Sequence, residues 1–445
     1  MTDMLTATPR FNAALVAEAV PRYTSYPPAN HFSDATGETQ LQGWIEALDQ
    51  DASLALYLHI PFCRQMCWYC GCNTTVPNKD RRVARYLEAL DLEIRNRGVW
   101  ADGRTVRHVH FGGGSPDMLS PERFQAIMRQ VRASFALAPD AEIAVELDPR
   151  GITPELAAAM ARGGVNRASL GVQDLSLEVQ ELIHRVQPES VVIGAMRTLR
   201  AAGIERINLD IMYGLPAQTV ERVEETARKA AAMDPDRIAV FGYAHVPWFK
   251  KHQNAIPAGR LPDAAERFDQ MMAAARILQL AGYDAIGFDH FARPADPLAR
   301  AAREGRLRRN FQGYTDAAQD ALIGLGASSI SDAPGGYAQN IPDPTLYSDA
   351  VLAGAPVAVR GLARGATDTR IGRRIETLMC DFTIAETELD ASERDALRAM
   401  ADMGLVDWSG GNFTVTPAGR PYIRNIAARL DPAFVPKQNQ HSLAV

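Results

Sequence analysis

Leu54-Ala-Leu-Tyr-Leu-His-Ile-Pro-Phe-Cys63-Arg-Gln-Met-Cys67-Trp-Tyr-Cys70-Gly-Cys72 joins an apolar run to four of the chain's five cysteines. The run is short, rich in β-formers and stopped by Pro61, so it reads as a buried strand delivering a loop. Cysteines placed for packing would not crowd together, and a chain kept in a reducing compartment has little use for disulfides. Crowded thiolates hold something soft, a zinc ion or an iron–sulfur cluster. A structural zinc site takes two separated pairs, and no second pair follows Cys67 and Cys70. Cys63 instead adds a third thiolate, giving C-x3-C-x2-C in one loop. Three thiolates leave one iron of a [4Fe–4S] cube without a protein ligand, open to a small molecule that chelates through an amine and a carboxylate. Cys72 contends for that iron, but its reach past Gly71 is short.

Outward from this loop the chain alternates. Strand-like runs at Leu54–Ile60, Val106–Phe111, Glu142–Leu147, Asn166–Val172, Arg206–Met212 and Arg237–Tyr243 are separated by helical periodicities. One such helix presents Val83, Leu87, Leu90 and Ile94, and another presents Phe268, Met271, Met272, Ala275 and Leu278. Six βα units predict an α/β fold, a parallel sheet with right-handed crossovers curled into a partial barrel. Residues 1–50 read as an N-terminal arm, with Pro21 to Pro28 extended. The barrel is expected over 51–300, an extension or linker over 301–360, and a mainly helical cap over 361–445. Leu322 to Ile330 reads as a turn and a short strand. The cap carries a helical pattern from Ile371 and a hairpin, Leu405–Trp408 with Phe413–Thr416, turning on Gly410-Gly411, so it is winged-helix-like.

Composition is that of an ordinary globular protein, 47% hydrophobic and 22% charged. The net charge of −6 disfavours a nucleic-acid footprint, and the cap has no concentrated basic helix. No apolar run reaches membrane-spanning length, and the start lacks a signal-peptide pattern, so the reading is cytoplasmic, without membrane or nucleic acid, and monomeric.

Several residues stand out beyond the cysteines. Gly112-Gly-Gly114 closes the second strand, either as a tight turn or as backbone offered to a ligand at close approach. Glu146 and Asp148 share one face at the end of the third strand. Glu146 suits a ribose diol, whereas Asp148, before Pro149, shapes the turn. Asp210 interrupts the apolar strand Ile207-Asn-Leu-Asp-Ile-Met212 and therefore requires a buried partner or a ligand. His59 and His110 read as hydrogen-bonded core histidines, and Cys380, off the apolar seam of its helix, as an inert thiol.

The cysteine spacing after a first strand resembles the radical S-adenosylmethionine superfamily. Tyr57-Leu-His-Ile-Pro-Phe-Cys63, Cys70-Gly-Cys72-Asn73, Phe111-Gly-Gly-Gly-Ser-Pro116, Pro21-Arg-Tyr-Thr-Ser-Tyr-Pro27, Asp289-His-Phe-Ala-Arg-Pro294 and Arg309-Asn-Phe-Gln-Gly-Tyr-Thr315 narrow it. Together they resemble the oxygen-independent coproporphyrinogen III oxidase family over about residues 20 to 430. The resemblance implies a [4Fe–4S] cluster on Cys63, Cys67 and Cys70, and S-adenosylmethionine, as two molecules. The first would meet Tyr57, Tyr69, Gly113, Gly114, Ser115, Glu146 and Ile330; the second would meet Gln173, Arg185, Asp210 and Ala244. Ser115 stands where the family carries threonine, and Trp68 where tyrosine is common. The implied reaction converts two propionates of coproporphyrinogen III to vinyl groups, using a 5′-deoxyadenosyl radical, a low-potential electron donor and an electron acceptor. Arg22, Arg293 and Arg309 are candidates for the substrate carboxylates. Two other readings remain beside it, a haem chaperone that keeps the cysteine loop without decarboxylating and an iron–sulfur redox sensor acting through the winged module.

Overall fold

The computed structural model describes residues 9–434 apart from Ala317. Six strands, β1 (Leu54–Ile60), β2 (Thr105–Gly113), β3 (Ala136–Leu147), β4 (Arg167–Gln173), β5 (Arg206–Tyr213) and β6 (Arg237–Gly242), lie side by side in chain order. Every neighbouring pair among them is parallel, and helices fill the crossovers. This is the α/β partial barrel that the alternation predicts.

Parallel strands covered on both faces normally read as continuous apolar runs. Here they alternate. In β5, Ile207, Leu209 and Ile211 are buried, while Asn208, Asp210 and Met212 between them are only partly covered. In β4 the same alternation sets Ser169, Gly171 and Gln173 apart from Ala168, Leu170 and Val172. The apolar set packs under the crossover helices. The other set lines the barrel's interior, which is therefore a polar cavity and not a filled core. Burying each Leu, Ile or Val of the helix-facing set contributes about 1.5–3 kcal/mol, which holds the polar set in place.

The sheet does not end with the six units. β7 (Asp284–Ile286) and β8 (His290–Ala292) pair antiparallel, and β8 adds antiparallel to β6. A small hairpin follows, β9 (Arg308–Asn310) with β10 (Gly313–Thr315). β11 (Ala321–Leu325) then returns across the barrel to pair parallel with β1. β12 (Ile330–Ala333), β13 (Gly336–Asn340) and β14 (Ala358–Ala363) continue that edge antiparallel. The stretch 301–360 thus contributes four strands to the main sheet, more than the single short strand legible in the sequence.

Beyond it, helices Ala366–Asp381 and Ala391–Asp402 flank a three-stranded sheet of β15 (Thr383–Ala385), β16 (Val406–Ser409) and β17 (Asn412–Val415). The β16–β17 hairpin turns on Gly410 and Gly411, both at positive φ. Helix Ala366–Asp381 sits on the β9–β10 hairpin, where Tyr314 Oη donates to Met379 O at 2.9 Å. Cys380 is not solvent-facing: it packs in a second apolar cluster with Ile286, Leu298 and Leu307, and burial raises its thiol pKa well beyond the ordinary range.

Residues 15–26 are bound to this C-terminal unit. Glu18 pairs with Arg429 at 2.9 Å, and Asn425 Nδ2 donates to Leu15 O at 2.9 Å. Tyr23 and Tyr26 both donate to the Asp431 carboxylate at 3.1 Å. Among the described residues no helix is long and apolar enough to cross a membrane.

Candidate active site

β1 ends at Ile60, and its next residues carry the cysteine loop directly over the C-terminal ends of β2 to β6. Backbone bonds fix where it leaves the sheet: Thr75 N donates to Pro61 O at 2.9 Å and Cys63 N to Thr75 O at 3.0 Å. Farther along, Trp68 N donates to Ile183 O at 3.0 Å, and the Trp68 ring stacks on His184 with centroids 5.0 Å apart. The result is one cavity of about 330 Å³ lined by Cys63, Cys67, Cys70 and Cys72 together with Tyr69, Gly113, Gly114, Ser115, Glu146, Gln173, Arg185, Asp210 and Ala244. Residues from five strands and the loop thus converge where open α/β sheets place their ligands.

The glycine turn is a close approach. Gly114 N donates to Ile60 O at 2.8 Å, and a Cβ at Gly114 would lie 2.5 Å from Phe62 O. Gly113 has φ +109°, and a Cβ there would lie 2.5 Å from His59 Cε1. Neither position tolerates a side chain, so the loop brings bare backbone against the cysteines. Ser115 N donates to Phe62 O at 2.8 Å, and its hydroxyl accepts from Asp148 N at 2.9 Å while donating to Asp117.

Charge is managed around the sulfurs. Cys67 Sγ accepts from Arg185 Nη1 at 3.5 Å and from Arg150 Nη2 at 3.8 Å. Both arginines are held by Asp148, at 3.0 Å and 2.7 Å, so this aspartate anchors cations as well as capping its turn through Arg150 N. Burial pushes the Cys63 thiol up to about 12, with a hydrogen bond to Thr74 acting in the opposite direction. These residues fit an iron–sulfur cluster: the donors are thiols from one loop, and guanidinium N–H groups stand ready for the charge of bound thiolate. Among the described residues no three His, Cys, Asp or Glu side chains close around a point for one ion.

Glu146 is tied to His110, whose Nε2 lies 2.8 Å from Glu146 Oε1. Burial opposes ionisation of Glu146, yet the His110 hydrogen bond and charge prevail and hold its pKa below the ordinary value. It is a carboxylate ready to accept two hydroxyls. Asp210 finds the partners its setting demands, accepting from Ser169 Oγ at 2.8 Å and Asn208 Nδ2 at 2.7 Å, and burial pushes its carboxyl up to about 6. Gln173 adopts φ +66°, and Arg185 Nη2 donates to Gly171 O at 2.6 Å. Tyr57 and Ile330 do not line the cavity. Tyr57 stacks on His110 with centroids 5.9 Å apart, behind Glu146, and Ile330 opens β12 opposite Gln339. His59 is a core histidine, 2.9 Å from Asn73 O, and burial lowers its pKa.

A second cavity of about 240 Å³ shares Arg22, Phe241, Gly242 and Tyr243 with the first. Its wall brings in Arg267, Arg309 and Arg424. Arg309 Nε and Nη1 are buried without a hydrogen-bond partner, and its guanidinium lies 4.5 Å from the centroid of the Tyr314 ring. Burial, then Arg22 and Arg309, bring the Arg424 guanidinium down to about 9. Cations pressed together in this way call for anions. Arg293 is elsewhere: it pairs with Asp234 at 2.6 Å and lies over Tyr283. The sequence reading overlooked Arg267 and Arg424, which lie far apart in the chain, and the supporting roles of His110, Ser169 and Asn208. For Asn208 and Ser169 the period-two alternation of β5 and β4 was the available signal.

Parallel strands ending beneath a three-thiol loop and a glycine turn define the radical S-adenosylmethionine class, and the Radical SAM superfamily profile matches residues 57–230. The chain is 43% identical over 439 residues to the oxygen-independent coproporphyrinogen III oxidase of Bradyrhizobium diazoefficiens, spanning 96% of this chain and 98% of that one. It is 38% identical to the Escherichia coli K12 protein of the same name, over 92% of each chain. The solved structure of coproporphyrinogen III oxidase from Escherichia coli, described as a radical SAM enzyme, superposes with a TM-score of 0.90 at 36% identity, covering 96% of this chain and 100% of that one. The chain belongs to the oxygen-independent coproporphyrinogen III oxidase family.

Proposed function

We propose that this protein decarboxylates two propionate side chains of coproporphyrinogen III to vinyl groups without oxygen, giving protoporphyrinogen IX for haem synthesis. The observation that carries the reading is the adjacency of the two cavities: a thiol-lined chamber and a chamber walled by arginines share Arg22, Phe241, Gly242 and Tyr243. When bound, the cluster and S-adenosylmethionine supply the radical that takes a hydrogen atom from the propionate β-carbon. The side chain then loses carbon dioxide and one electron: a C–H and a C–C bond break, and a C=C bond forms.

The chain's own residues do the positioning. Cys63, Cys67 and Cys70 hold the cluster, and the backbone of Gly113, Gly114 and Ser115 receives the methionyl amine. Glu146, kept ionised by His110, accepts the ribose hydroxyls. Tyr69 walls that site, Tyr57 backs it through His110, and Ile330 meets the same cofactor once it is bound. Gln173, Arg185, Asp210 and Ala244 hold a second S-adenosylmethionine farther along the same cavity. Arg22 and Arg309 bind substrate carboxylates beside Arg267 and Arg424, because guanidinium groups pair with carboxylates bidentately. Phe241, Phe288 and Phe311 line the chamber and keep water from the radical. The 51–300 barrel does the chemistry, 301–360 completes its sheet, and residues 9–50 with 361–434 close the substrate chamber as a cap. A low-potential donor feeds the cluster, and a separate acceptor takes the electron that leaves with decarboxylation.

The test is anaerobic turnover of substrate deuterated at the propionate β-carbons. The reading expects deuterium in 5′-deoxyadenosine and divinyl product. Haem binding without deuterium transfer would replace it with the chaperone reading.

A further inference from the structure

The segment from Ala244 to Leu261 leaves β6 and folds against the backbone of the cysteine loop. Gln253 Nε2 donates to Tyr69 O at 2.9 Å, and Lys250 Nζ donates to Cys72 O at 2.9 Å. His252 Nε2 lies 2.7 Å from Cys70 O, which can only accept, so that nitrogen carries the proton. Side chains from one short stretch thus take up the outward carbonyls of the loop that holds the cluster.

What the same stretch offers to solvent is unusual. Trp248 is 57% exposed and Phe249 74%, two adjacent large aromatics that keep most of their surface in solvent. Lys250 lies 5.2 Å from the centroid of the Phe249 ring, and Lys251 beside it is exposed. Residues 63–79 and 244–261 carry Arg64, Lys79, Lys250, Lys251 and Arg260 without one Asp or Glu, in a chain of net charge −6. Arg260 is spent on Glu178 and Arg64 on Asp117, so the exposed cation beside the aromatics is Lys251. An aromatic centre with a basic rim is the composition of a protein-binding surface, and its charge selects an acidic partner. Its small extent suits encounters that form and release quickly, as electron-transfer complexes do.

We propose that Trp248, Phe249, Lys250 and Lys251 dock a small acidic one-electron carrier protein that reduces the cluster. This rests on the reaction proposed above, which consumes one electron at the cluster for each radical made. In the step itself no bond is made or broken: the carrier loses one electron, and the cluster on Cys63, Cys67 and Cys70 gains it. The carbonyls of Tyr69, Cys70 and Cys72, held by the docking segment, lie between the two.

The experiment uses full-length enzyme with its cluster reconstituted, and flavodoxin and a [2Fe–2S] ferredoxin as probes, both acidic. Stopped-flow absorbance follows cluster reduction by each reduced carrier at low and high salt. Trp248→Ser, Phe249→Ser and Lys251→Glu are expected to slow reduction by at least about tenfold and to flatten its salt dependence. Cluster content, and turnover driven by dithionite, should stay at the wild-type level. Because Lys251 is exposed and its only described hydrogen bond with a side chain is through its backbone carbonyl, which accepts from Asn254 Nδ2 at 2.8 Å, Lys251→Glu serves if an aromatic variant folds poorly. Wild-type reduction rates in the variants would overturn the proposal, as would a wild-type protein that sediments as a dimer and variants that sediment as monomers, which would give the patch to a second copy. Cluster reduction needs no porphyrinogen, so carrier-driven reduction without decarboxylation would sink the functional reading and leave the dock standing.

Discussion

Arg185 aims Nη1 at the Cys67 sulfur from 3.5 Å while the same nitrogen reaches Asp148 at 3.0 Å. A cation beside one thiolate favours whichever cluster state carries more negative charge. Arg185→Met should therefore lower the midpoint potential, on the order of tens of millivolts. Spectroelectrochemistry of the reconstituted protein checks this, and an unchanged potential would show that Asp148 and Arg150 alone set the local charge.

Arg309 carries two buried guanidinium nitrogens without hydrogen bonds. If a substrate carboxylate is their partner, Arg309→Gln forfeits a charge-assisted pair worth about 1.5–3 kcal/mol. The expected result is KM for coproporphyrinogen III raised about 10- to 100-fold, with dissociation of S-adenosylmethionine unchanged. Arg293→Gln serves as the comparison, since its partner Asp234 lies outside the chamber, and should leave KM alone.

Asp210 is the group whose titration separates from the rest. Burial holds its folded pKa at about 6, above the ordinary carboxylate value. Between those values the folded state keeps a proton that the unfolded chain has lost, so stability falls as pH rises through that window. Above pH 6 the buried charge costs about 1–3 kcal/mol. Asp210→Asn should gain thermal stability over wild type progressively from about pH 4 to about pH 6 and hold that gain above it. A Tm difference independent of pH would contradict the assignment.

Gly114 sits where a Cβ would come within 2.5 Å of Phe62 O. Gly114→Ala must push the glycine turn away from the cysteine loop. The prediction is weakened S-adenosylmethionine binding by at least about tenfold, with the iron content retained, read by isothermal titration and iron analysis.

The strand before the cysteines was legible to the residue because apolar Leu54 to Ile60 is bounded by polar Ser53 and by Pro61. β3 was not. Its first half, Ala136 to Asp140, holds Pro139 and Asp140, residues of turns, yet Ala136 pairs with Thr105 and Leu137 with Val106. An irregular register between Val106 and His108 then absorbs the interruption. β11 was read as a turn and short strand because its identity as β1's neighbour depends on a partner far away in sequence. The thiols, the glycines, Glu146 and Asp210 were legible because local spacing carries their chemistry. The arginine chamber was legible only in Arg22 and Arg309, since Arg267 and Arg424 reach it from a barrel helix and from the C-terminal helix. Arg293, equally basic and nearby in the chain, is spent on Asp234.

The direct test is an anaerobic assay of reconstituted wild type and Cys63→Ala, supplied with S-adenosylmethionine, coproporphyrinogen III and dithionite. The account predicts that wild type yields methionine, 5′-deoxyadenosine and carbon dioxide together with protoporphyrinogen IX, and that Cys63→Ala yields none of them. Equal yields from the two proteins, or wild type releasing none of these products, would contradict it.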